Sequence, residues 1–246
     1  MKLIKAFLVA SLGFMLMFGA PAQADYREVY VCNYLDGKDM GDIESARDYY
    51  LKQSEKAGIS TPDAFVWNHF KGGAPVDVIW FNNYDDEADW AKRTDAAAGS
   101  SEMAAVTARF DTVVDCSAGL SSRETVYDSG DFTVSGDSAI ISSNRCMLND
   151  GVTSQDLDDL WGHAKGTLSS MDEYSNFLLF VSNSVTPGAN SADLYLYGVS
   201  DNLTAWAAGR AAFGSSDAGQ SLNRHFQALM TCTSDLWIGQ QVVGGE

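Results

Sequence analysis

The sequence predicts an α+β protein built from two tandem copies of one βαββαβ unit. Three observations carry this. The chain repeats itself at a near-constant offset, and each copy orders its runs as strand, helix, strand, strand, helices, strand. The strand runs are also apolar on both faces, as in Phe177-Leu178-Leu179-Phe180-Val181, the pattern of a sheet covered on both sides.

The repeat is visible in rare residues. Cys32, Asp36-Gly37 and Asp42-Ile43 recur 114 residues later as Cys146, Asp150-Gly151 and Asp156-Leu157. Further on, the offset is 116: Asp77, Asp85, Trp90, Phe110 and Cys116 recur as Asp193, Asp201, Trp206, Phe226 and Cys232. This period is too long for a solenoid, whose units of about 20–50 residues cannot fold alone. The expected division is 25–120 for the first copy, 139–246 for the second and 121–138 for the join, where Ser, Asp and Gly cluster.

In the first copy, Tyr26–Tyr34 reads as a strand ending at the Asp36-Gly37 turn. A helix capped by Asp42 runs through Lys56, with Ile43, Ala46, Tyr50 and Ala57 on one face and Gly58 as its stop. Ala64–Phe70 and Val76–Phe81 are strands joined by the hairpin Lys71-Gly72-Gly73-Ala74-Pro75. Asp85 or Asp86 caps a helix bearing Trp90, and a second helix spans Ser101–Val114. Cys116 opens the closing strand. The second copy repeats the order with Ser142–Leu148, Asp156–Ser169, Asn176–Ser182, Asp193–Gly198, Thr204–Phe213, Ser221–Met230 and a last strand near Thr233–Gln240.

The order βαββαβ is the split βαβ, ferredoxin-like arrangement, whose first and last strands are neighbours. With two such units and two-faced strands, the chain resembles the dimeric α/β-barrel superfamily over nearly all of residues 26–240. The resemblance implies two ferredoxin-like domains packed sheet to sheet as an intramolecular barrel. Its antibiotic-biosynthesis-monooxygenase-like, haem-handling and ligand-binding members show that this fold does not select a function. No motif of the superfamily is matched residue by residue, so no functional residue is carried over.

Residues 1–24 have the parts of a secretory signal: Lys2 and Lys5, an apolar stretch from Ala6 to Phe18, and the small-x-small site Ala22-Gln23-Ala24. The apolar stretch is shorter than the ~20 residues that span a bilayer. The expected product is periplasmic or secreted, with no membrane association after cleavage. Losing the signal's two lysines takes the net charge from −17 to −19, which repels phosphate backbones and excludes nucleic acid as a partner.

Four cysteines in an exported chain read as two disulfides with three conceivable pairings. The duplication favours Cys32–Cys116 and Cys146–Cys232, because an ancestral single unit had only its own pair. No CxxC or Cys/His cluster supports a metal. GxSxG, HExxH and P-loop patterns are absent, and Asp36–Asp42 lacks the final Glu of a calcium loop.

The candidate pocket residues are Trp67, His69, Asp77, Trp80, Asp193 and Tyr195, with Phe81 and Tyr197 beside them. His69 shares a strand face with Trp67. Asp77 and Asp193 read either as pocket acids or as turn residues that accept from backbone amides. His163 and His225 lie on helices of the second copy, where the first copy has Tyr49 and Arg109. The expected function is that of a non-enzymatic exported binding or stress-related protein, whose aromatic-lined cavity takes a small, largely apolar molecule, with no cofactor. The alternatives are a haem-dependent or cofactor-free oxygenase, with His163 or His225 as the haem ligand, and a self-associating protein.

Overall fold

A computed structural model describes residues 25–130, 132–186 and 192–244; the expected signal segment 1–24 lies outside the described residues. The first half comprises β1 (Asp25–Tyr34), α1 (Met40–Ala57), β2 (Asp63–Lys71), β3 (Val78–Tyr84), α2 (Glu87–Ala98), α3 (Ser101–Phe110) and β4 (Val114–Asp128). The second comprises β5 (Ala139–Leu148), α4 (Ser154–Ser169), a 3₁₀ turn (Asp172–Tyr174), β6 (Phe177–Ser184), β7 (Leu194–Ser200), α5 (Leu203–Ser215), α6 (Asp217–Leu229) and β8 (Met230–Val243). Among the described residues no helix is long and apolar enough to cross a membrane.

Each half is an antiparallel sheet, in the orders β4-β1-β3-β2 and β8-β5-β7-β6. The edges then meet: β2 pairs with β8 and β4 with β6, closing an eight-stranded barrel. The two sheets thus face each other and also leave no edge strand, which removes the exposed N–H and C=O rows that invite aggregation. Two disulfides, Cys32–Cys116 and Cys146–Cys232, link directly opposed residues of β1 and β4 and of β5 and β8. Such bonds are characteristic of an oxidising compartment.

Strand periodicity divides the apolar residues into three cores. One face of each sheet packs on helices: Ile43, Ala46, Val66 and Trp80 in the first half, Leu160, Leu168, Leu196 and Leu222 in the second. The alternate positions, among them Trp67, Phe81, Ile141, Phe180, Tyr197 and Trp237, fill the barrel interior. That is why the strand runs read as apolar on both faces.

Local chemistry moves several predicted boundaries. Asp39, not Asp42, caps α1: its side chain accepts from Gly41 N, while Asp42 Oδ2 accepts from Asp39 N as the return bond of a capping box. Thr153 and Asp156 repeat the device on α4, so the duplicated Asp42 and Asp156 are third-residue partners rather than caps. α3 stops at Phe110, not Val114, because the turn at Asp111–Val113 delivers the β-branched Val114 into β4. β3 begins at Val78, just after Asp77, which bonds to the end of β1, and β4 runs on to Asp128 to pair with β6 within the segment read as the join.

The hairpin between β2 and β3 is held by the other half. Asp235 on β8 is 7% exposed, and its Oδ1 accepts from Gly73 N (2.8 Å) and Ala74 N (2.9 Å). Gly72 has φ +127°, and a Cβ there would collide with Asp235, so the loop needs glycine. Asp235→Ala strips two amides of a charged acceptor, and hydrogen bonds to charged groups contribute about 1.5–3 kcal/mol each. The expected outcome is a lower urea midpoint with an unchanged slope, from a loss of about 2–3 kcal/mol.

Candidate functional site

The barrel interior is unevenly filled. Toward the end formed by the starts of β2, β5 and β6 and the ends of β3, β7 and β8, the side chains leave a cavity of about 600 Å³. Its apolar wall includes Phe65, Trp67, Phe81, Leu178, Phe180 and Val199, and Gly239 is part of the lining where Ile141 and Trp67 pack close to the backbone. A side chain at Gly239 would run into Ile141 and Trp67. The aromatic rings interlock: Trp67 lies 4.2 Å from Phe81 and 4.9 Å from Tyr197 between ring centroids, and Phe180 lies 5.0 Å from Tyr197.

Two arginines enter this apolar wall. Arg27 points inward from β1 and is 5% exposed; Arg123 points inward from the adjacent β4. Their guanidinium carbons sit 4.7 and 4.6 Å from the Phe180 ring centroid, and Arg27 also lies 5.5 Å from Phe81. Stacking on rings is how a weakly hydrated guanidinium is kept in an apolar place. Asn83, Gln240 and Gln241 complete the polar lining, with Asp137 at the mouth.

The segment carrying Phe132, Val134, Gly136, Asp137 and Ser138 crosses the mouth and is pinned to the second half. Asn176 accepts from Thr133 N and donates to Thr133 O, at 2.9 and 2.8 Å. Asp201 accepts from the backbone N–H and the hydroxyl of Ser135, and these bonds hold its carboxyl below the usual range.

Of the residues singled out from the sequence, Trp67 lines the cavity. His69, two positions along β2, is outside the cavity lining and packs against Trp237, with Nε2 3.9 Å from Asp235 Oδ1. Tyr195 stacks on Tyr197, whose phenol burial pushes up in pKa. Trp80 is on the opposite face of β3, against Phe110 under the helices, so its neighbours are core and not cavity. Asp77 and Asp193 make one duplicated contact: Asp77 Oδ2 accepts from Tyr34 N and Asp193 Oδ2 from Leu148 N, at 3.0 and 2.8 Å. Both fasten the end of a neighbouring strand beside a disulfide. Sequence reasoning missed Arg27 and Arg123. The available signal was Arg27 in phase with the apolar Val29 and Val31 on a two-residue period.

Haem, the cofactor of one alternative reading, does not fit these residues. The cavity between the helices and sheet of the second half is about 60 Å³, against the ~300–1,000 Å³ usual for small-molecule sites. The larger cavity is lined by no His, Cys, Met or Tyr among the described residues, so it offers no axial ligand of the usual kinds. His163 and His225 are turned toward each other, Nδ1 to Nδ1 at 3.2 Å, between α4 and α6.

Neither a family model nor a curated protein sequence matches the chain. Solved structures do match its fold. A candidate monooxygenase from Fusobacterium nucleatum superposes with a TM-score of 0.58 at 10% identity, over 92% of this chain and 97% of that one. An anthrone oxidase-like protein gives 0.52 at 13% identity, over 91% and 95%. A mutant chlorite dismutase from Candidatus Nitrospira defluvii gives 0.52 at 10%, over 90% and 92%. At these identities the likeness is one of fold. The chain thus has the fold of a dimeric α/β barrel, with a single polypeptide supplying both halves.

Proposed function

We propose that this is an exported binding protein for a small apolar molecule bearing an anionic group, taken into the open end of the barrel. The observation that supports it is the pair Arg27 and Arg123 sharing the Phe180 ring in an aromatic cavity of about 600 Å³. The aromatic wall takes the apolar body of the ligand at roughly 25 cal/mol per Å² removed from water. A carboxylate or sulfonate meets both guanidiniums, whose planar donor forks suit such anions.

Fluorescence titration separates the two contributions. 8-Anilinonaphthalene-1-sulfonate is expected to bind about tenfold or more tightly than its neutral counterpart N-phenyl-1-naphthylamine, since a charge-assisted hydrogen bond contributes about 1.5–3 kcal/mol. Arg27→Gln and Arg123→Gln should each shrink that preference while leaving the neutral probe little changed. Equal affinity for both probes, or a preference that survives both substitutions, rejects the anionic class. Failure of both probes to bind at all rejects the cavity as a binding site.

A second reading, an oxygenase acting without a resident cofactor, draws on the fold likeness to the monooxygenase and anthrone oxidase-like structures. Its test is turnover of an aromatic substrate in air: activity unchanged in His69→Ala, His163→Ala and His225→Ala, or no activity at all, removes the histidine-based version.

A further inference from the structure

The described residues contain one histidine pair, and it lies away from the cavity. His163 on α4 and His225 on α6 are both half-buried at the helix contact, with ring centroids 5.4 Å apart and planes inclined by 38°. Their Nδ1 atoms approach to 3.2 Å, which a neutral pair sustains by one Nδ1–H donating to the other ring. The same separation is that of two ligands on one small ion. Nitrogens about 2.0–2.1 Å from a tetrahedral zinc are roughly 3.3–3.4 Å from each other.

We propose that His163 and His225 bind a divalent transition-metal ion of the zinc type, bridging α4 and α6. Two facts beyond the spacing support this. The first copy holds Tyr49 and Arg109 at the repeat-related positions, so packing in this fold does not require imidazoles there. Residues 62 apart in the chain, two of its only three histidines, are brought into register by two helices that pack against each other. The setting also favours a cation: Asp156 and Asp159 precede His163 on α4 by two turns and one. No group of three or more His, Cys, Asp or Glu converges among the described residues, so water completes the coordination. Imidazole rather than carboxylate donors select a borderline ion over Mg²⁺ or Ca²⁺. Because the rings must be deprotonated to bind, affinity falls as pH is lowered.

The test is calorimetric titration of Zn²⁺ into the disulfide-bonded, chelator-stripped protein. The expected result is one ion per chain, not displaced by Mg²⁺, with affinity at least about tenfold weaker in His163→Gln and in His225→Gln and unchanged in His69→Gln. In the unmutated protein, Zn²⁺ should shift the imidazole NMR signals of two histidines and leave His69 in place, a readout that needs no variant to fold. Absence of zinc binding overturns the proposal. So does binding that survives both substitutions or leaves all three imidazoles unshifted, which assigns the ions to the acidic surface.

Discussion

Replacing Cys146 and Cys232 together by alanine is expected to lower unfolding free energy by about 4–5 kcal/mol, and the Cys32/Cys116 double variant by a similar amount. The bridges span sequence separations of 86 and 84 residues, and in the chain-entropy model closing so long a loop restricts the unfolded state strongly. Topology adds to this. β8 is bonded to β5 by one bridge and pairs with β2 across one seam; β4 is bonded to β1 by the other and pairs with β6 across the second seam. Each disulfide therefore fastens the strand that reaches into the opposite half. Loosening either one weakens barrel closure as well as its own sheet. Alanine is the right replacement because Cys146 is fully buried and Cys32 nearly so, where serine would bury a hydroxyl. Urea unfolding of oxidised wild type and both double variants checks this. A loss below about 1 kcal/mol for either pair would show that the unfolded chain gains little freedom when the bond is cut.

The fold was readable because duplication, strand order and two-faced strands all constrain one topology. Cys32 and Cys116 are opposed across β1 and β4, as the repeat required, and Asp77 and Asp193 proved identical in role because they were identical in place. Errors came where two nearby residues of one type compete. Asp39 and Asp42 are both good caps, and only the return hydrogen bond distinguishes the first residue from its partner. The cavity was less legible. Period-two alternation says that Arg27, Phe65, Trp67 and Phe180 face inward, but it does not say which end of the barrel is left unfilled. That end is lined by residues from both halves, such as Trp67 and Gly239, which pair across the seam between β2 and β8. The contacts of Asp235 with the Gly73–Ala74 amides lie 162 and 161 residues apart in sequence, beyond any local pattern. The same holds for His163 and His225: helical periodicity gives the face of each helix, not the crossing that brings the two rings together.

Phe180 links stability to binding, and its substitution should expose both roles. The ring is 2% exposed, lies 5.0 Å from Tyr197, and carries the guanidinium carbons of Arg123 and Arg27 at 4.6 and 4.7 Å. Phe180→Ala opens a cavity in the barrel and is expected to cost about 3–5 kcal/mol. Phe180→Leu keeps most of the volume and removes the ring quadrupole. Its expected cost of about 1–4 kcal/mol reflects imperfect repacking together with two cation–π contacts, each contributing about 0.5–2 kcal/mol. The two variants should therefore separate in binding. The leucine variant retains affinity for the neutral naphthylamine, because the apolar wall persists, but loses much of its preference for the sulfonate once the guanidiniums are no longer held by the ring. In the alanine variant the wall itself recedes, and both probes bind more weakly. Urea midpoints and the two titrations, made on the same samples, give the comparison. A leucine variant with unaltered sulfonate preference would mean that backbone and neighbouring polar groups fix Arg27 and Arg123, and that Phe180 contributes only volume to the site.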